Sequence, residues 1–159
     1  MKSATEVHHF WFTAHGPDDW FAGKPEFDAL VASGFAQTHA AIARGEGWTW
    51  RKDARGRLAE IIVLDQFSRQ LFRGDARSFT QDLMALTLSQ ELVAQGLDEE
   101  LSEDERMFAY LPYMHSESLV VHDEAVRLFT ALGNDKTLDY ESKHRDCIAR
   151  FGRYPKRNA

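Results

Sequence analysis

Among 159 residues there is one cysteine, Cys147, so no disulfide can form within the chain and its stability has to come from packing. Proline is scarce as well, and three of the four, Pro17, Pro25 and Pro112, fall where a helix would stop, start or bend. No segment alternates apolar and polar side chains with period two, which removes the half-buried β-strand and leaves an all-helical reading. No run is long and apolar enough for a membrane span, and no charged-then-apolar leader is present. With the lone thiol, this points to a soluble protein of a reducing, cytoplasmic compartment with no membrane partner. Cations are the minority charge: 19 Lys and Arg against 25 Asp and Glu give a formal charge of −6. That balance excludes a protein built to coat nucleic acid, which needs a broad cationic surface. Nor does any clean repeat stand out at the lengths typical of helical arrays.

What the chain does have is 43% apolar content, enough for one helical domain over residues 1–159 that buries about two thirds of its unfolded surface. The strongest stretch runs from Arg57 to Gly74. On a helix at about 100° per residue, Leu58, Ile61, Ile62 and Phe72 form one apolar face. Val63, Leu64, Phe67 and Leu71 form another, leaving Ala59, Gln66 and Gln70 as a strip for water. A helix apolar around most of its circumference belongs at the centre of a fold, so a buried helix over about 54–73 is expected, with the others around it. Asp65 and Arg69 lie one turn apart in the middle of its first apolar face.

Local signals divide the rest into about seven antiparallel helices. Ser3 and Glu6 have capping-box spacing before a short first helix that Gly16-Pro17 stops, and Pro25 suits the first position of the second. Phe27, Leu30, Val31, Phe35, Thr38 and Ile42 give that second helix its apolar stripe, and Gly34 inside it suggests a close helix approach. Asp53 caps the central helix, Gly74 ends it, and Asp75 caps a fourth whose stripe runs Phe79, Leu83, Leu86 and Val93 to Gly96. The acidic run from Asp98 to Glu105 contains a second capping box, Ser102 with Glu105, and is read as the start of a helix that Pro112 bends or ends. The sixth carries Leu119, Val120, Val126, Leu128, Phe129 and Leu132. The last carries Tyr140, His144, Cys147, Ile148 and Phe151.

Several ordered motifs span the chain: Phe10-Trp11-Phe12, Trp20-Phe21, Asp65-Gln66-Phe67-Ser68-Arg69, Arg73-Gly74, His115-Ser116-Glu117, and Arg150 through Asn158. Together they resemble a bacterial family known only as domain-of-unknown-function family 924. The resemblance implies an all-helical, tetratricopeptide-like array and brings no established activity. The chain departs from the family pattern where Ser68 stands for a usual proline, Gln70 for an asparagine and Lys156 for a histidine. It also stops at Ala159, before a short segment with a Gly-Arg pair and acidic residues that members carry, so the C-terminal end of the pattern is expected to be missing.

For chemistry, Asp65 and Arg69 can pair along their helix. On a buried face such a pair pins register, binds a ligand, or does both. His115 and Glu117 offer acid–base groups, but i, i+2 positions on a helix do not face one another, so a partner for His115 has to come from another helix. His122 would lie roughly 10.5 Å from His115 along one helix axis, too far to share a metal ion. No metal or cofactor is expected. His144 and Cys147 have the spacing of a base and a nucleophile, yet a free cysteine is more often a small buried apolar group. Arg150, Arg153 and Arg157 form a basic cluster with Lys156 that suits a phosphate or carboxylate. The expected site is therefore a groove between helices that binds a small anionic ligand through Asp65, Arg69, Arg73, His115, Glu117, Arg150, Arg153 and Arg157, with hydrolase or transferase chemistry in view. The alternative is a helical scaffold for a peptide or protein partner.

Overall fold

Ser3, Asp53 and Ser102 cap the helices their signatures announce, whereas Asp75 caps only a 3-10 turn, Ala76–Phe79, ahead of the expected fourth helix, in a computed structural model that describes residues 1–158. The Ser3–Glu6 capping box opens α1 (Ala4–His9), which continues as a π-helical turn over Phe10–Ala14. A single turn, α2 (Pro17–Trp20), precedes α3 (Pro25–Ala43), with Pro25 at its first position. Asp53 accepts from the Gly56 amide at 2.7 Å and starts α4 (Ala54–Ile61). That helix runs on through a π-helical stretch, Ile62–Phe67, into α5 (Ser68–Leu71). Then come α6 (Asp82–Ala94), α7 (Glu103–Met114) behind the Ser102–Glu105 box, α8 (Leu119–Leu132) and α9 (Asp135–Phe151). No strand occurs among the described residues, and no helix is long and apolar enough to cross a membrane. All seven expected helices form. The one-turn α2 and the division of the central helix account for the extra pieces.

The central helix is buried without a break from Leu58 to Ser68. α4 packs on α1, α6 and α7, the π-helical stretch on α3, α6 and α7, and α5 on α3. The water strip expected along it is therefore absent: Ala59, Gln66 and Gln70 are buried with Leu58, Ile61 and Phe67. A π-helix closes i→i+5 bonds, so a wheel drawn at one fixed angle loses phase after Ile62. Phase is lost in a different way at Leu83. The chain breaks helix between Phe79 and Asp82, and α6 turns Ala85, Leu86, Ser89 and Leu92 inward while Leu83 is 77% exposed. Val120 and Tyr140, also expected on apolar stripes, are exposed too.

Against Phe67 of the central helix, Trp11, Trp20, Phe27 and Phe108 pack ring to ring, and Trp20 Nε1 donates to the Trp11 carbonyl. Gly34 marks no close approach, since a Cβ there would meet nothing within 4 Å. Gly47 and Gly56 do, the tighter being Gly56, where a Cβ would sit 1.9 Å from the Trp50 carbonyl oxygen. Pro112 lies two residues before the end of α7, which stops at Met114.

Candidate functional site

Asp65 sits in the middle of the π-helical stretch with its side chain 1% exposed. Side chains gather on this part of the backbone. Ser68 Oγ donates to the Leu64 carbonyl at 2.6 Å and Arg69 Nη1 to that of Asp65 at 2.7 Å. His39 Nε2 meets Ser68 Oγ at 2.7 Å. Because the hydroxyl proton goes to Leu64, His39 is the donor there.

The Asp65 carboxylate accepts from Gln66 Nε2 at 2.8 Å and contacts His115 Nδ1 at 2.7 Å. The partner of His115 thus comes from another helix. Burial pushes the Asp65 carboxyl up, but His115 and Arg69, through charge and hydrogen bonding, outweigh it and hold the group at about 2. An ionised Asp65 takes a hydrogen bond from His115 Nδ1, and Nε2 of that ring has no partner among the described residues. A carboxylate behind an imidazole is the arrangement that aims a general base.

The expected pair of Asp65 with Arg69 is the weak one, at 3.5 Å between side chains. Arg69 instead makes two parallel bonds to Asp82, at 2.9 and 3.0 Å. Burial opposes the charge of Arg69, and Asp65 with Asp82 more than offsets that, so its pKa is raised.

Beyond α9 the chain turns back at Gly152, and three bonds fix the tail to the end of α7. The Tyr154 amide donates to Glu117 at 2.6 Å, the Tyr154 hydroxyl to the Met114 carbonyl at 2.5 Å, and Arg157 Nη2 to the His115 carbonyl at 2.8 Å. Behind Tyr154, His122 Nε2 contacts its hydroxyl and donates to the Ser116 carbonyl, while His122 Nδ1 meets the fully buried Glu141 at 2.8 Å. Burial raises the Glu141 carboxyl, with His122 only partly opposing it.

The Arg157 guanidinium lies between two rings, 4.7 Å from the centre of Phe79 and 4.6 Å from that of Tyr154. Desolvation and the nearby charge of Arg69 lower its pKa, and Asp82 at 3.5 Å and Glu117 do not make up the loss. Arg157, His115, Ser116, Glu117, Asp82 and Asn158 line one groove of about 470 Å³ together with apolar residues of α6 and the turn before it.

Five of the eight expected site residues meet here, in two layers. His115, Glu117 and Arg157 face the groove, while Asp65 and Arg69 lie behind it. The other three stand apart, because the tail brings only its end across α7. Arg73 pairs with Asp28 of α3, Arg150 lies exposed over the Phe151 ring, and Arg153 reaches the rim only through Asn158. A repelling cluster of five arginines does not form. Arg69 and Arg157 meet alone, with Asp65 and Asp82 against them.

His144 and Cys147 do not pair, since each turns its polar atom to a backbone carbonyl, of Tyr140 and Arg153. The single-helix spacing assumed for His115 and His122 fails, because the chain leaves helix between them. Among the described residues no three His, Cys, Asp or Glu side chains gather as metal ligands would. Asp82, Tyr154 and Glu141 were not singled out by spacing, for each joins the site across more than ten residues of chain, and His122, weighed only as a metal partner of His115, joins through Ser116 and Tyr154.

These features can be set beside known proteins. No curated protein matches the chain. A solved structure of a protein of unknown function from Agrobacterium tumefaciens is 39% identical, with a TM-score of 0.92 over 98% of this chain and 87% of that one. The family model described as bacterial protein of unknown function, DUF924, matches residues 7–159. Ala159, the last of those, lies outside the described residues. That match, over a chain with DQFSR in its central helix and RFGRYPKRN at its C-terminus, shows that the chain belongs to this family.

Proposed function

We propose that the groove binds a small molecule through an anionic group, a phosphate or a carboxylate, held by Arg157, and that His115 exchanges a proton with it in a hydrolase or transferase reaction. One observation carries the reading: an imidazole backed by a buried carboxylate and an under-neutralised arginine line the same groove. Arg69 is saturated by Asp82 and Asp65, so it serves to hold the floor. Arg157 has its charge disfavoured by burial, and an anion beside it would relieve that cost. A scaffold for a peptide or protein partner is the competing reading, and gathering of the polar residues at one groove counts against it. The lone, half-buried Cys147 supports a reducing, cytoplasmic setting.

The test is a melting-temperature screen of small phosphates and carboxylates at low salt. A ligand at 100 times its Kd should raise the midpoint by roughly 5 to 10 °C. Arg157→Ala should abolish the rise. Glu117→Gln should enlarge it, because the amide still accepts from the Tyr154 amide while a repelling charge is gone. For any substrate found, His115→Ala should slow turnover about 100-fold or more. Absence of any rise, or a rise that survives Arg157→Ala, would return the case to the scaffold.

A further inference from the structure

Most polar groups of the groove come from the end of α7 and the tail, with Thr80 and Asp82 added by the turn before α6 and its first residue. Ala76, Phe79, Leu83 and Leu86, joined by Pro112, form an apolar wall beside them. Leu83 is a large aliphatic side chain left 77% in water at this place. The Arg157 guanidinium rests on the ring of Phe79, so the apolar wall begins where the cationic head site ends. A bare inorganic anion would use Arg157 and leave that wall wet.

We infer that the ligand is an amphipathic anion, with a carboxylate or phosphate head on Arg157 and an alkyl or aryl body along Phe79, Leu83 and Leu86. The inference rests on the anion reading of the same groove and adds the class of molecule. Apolar surface leaving water then supplies the selectivity, and the charged head supplies orientation.

Titration calorimetry with acetate, butanoate and hexanoate, and with inorganic, butyl and hexyl phosphate, tests it. Each added methylene should tighten binding about twofold, against about fourfold for full burial. The series that binds more tightly identifies the head. Leu83→Ser should remove most of the chain-length gain while acetate and inorganic phosphate keep their affinity within about twofold; an exposed position makes this variant safe for folding, which its melting temperature checks. Arg157→Ala should weaken every member tenfold or more. If long and short anions bind equally, the amphipathic inference fails and the anion reading stands. Where no anion binds, both fall. A chain-length gain that is unchanged in Leu83→Ser would also overturn the inference, because the apolar body would then lie elsewhere.

Discussion

Burial and pairing pull against each other at Asp65, and pairing wins. The carboxyl ionises at about 2 in the folded protein against an ordinary 3.8. A lowered folded pKa means that the ionised form favours folding, so this stability is complete above about pH 4 and is lost as pH falls toward 2. Asp65→Asn should therefore be less stable than the parent at pH 7, and urea unfolding should find the gap narrowing by on the order of 2 kcal/mol by pH 2. A gap that does not change with pH would mean that Asp65 is not the titrating partner.

Arg69→Ala removes the paired bonds to Asp82 and a cation beside the buried Asp65, and should cost about 3 kcal/mol. Gln70 is buried with Oε1 unpartnered, so Gln70→Met should cost under about 1 kcal/mol or even stabilise. A large loss would mean that the amide has a partner. That Asp65 lies buried and Arg69 half-buried beside it was legible from the apolar residues around them. Their main partners, His115 and Asp82, were not, because spacing along one helix says nothing about what a neighbouring helix delivers.

The ends of the helices were the legible part of the elements. Ser3, Asp53 and Ser102 cap where their side chains imply, since a cap is settled within one turn of chain. Faces were less legible wherever the helix departs from 3.6 residues per turn, as in Ile62–Phe67, or breaks, as before Asp82. Two glycines differ in what an added methyl would meet. Gly56→Ala drives a methyl into the Trp50 carbonyl and should cost about 3 kcal/mol, the upper end for overpacking, whereas Gly34→Ala meets open space inside a helix and should add about 0.5 to 1 kcal/mol. Denaturation midpoints of the two variants check this, and equal effects would contradict it.

At the scale of the molecule, the family motifs come together because the tail returns across the end of α7. Tyr154 is fixed there through both its amide and its hydroxyl, and it carries Arg157 to the carbonyl of His115. Long-range closure of this kind has no local signature, which is why the sequence marked the C-terminal basic cluster without separating Arg157 from Arg150 and Arg153. The charge of the site is close to balanced, so the case for an anion rests on the position of Arg157 and His115 and not on an excess of cations. The most direct measurement is nitrogen NMR of the histidine side chains during titration with phosphate and butanoate. The expected result is a saturable shift at His115 Nε2, little change at the buried His39 and His122, and loss of the response in Arg157→Ala. An anion that raises the melting temperature while leaving His115 unmoved would contradict it.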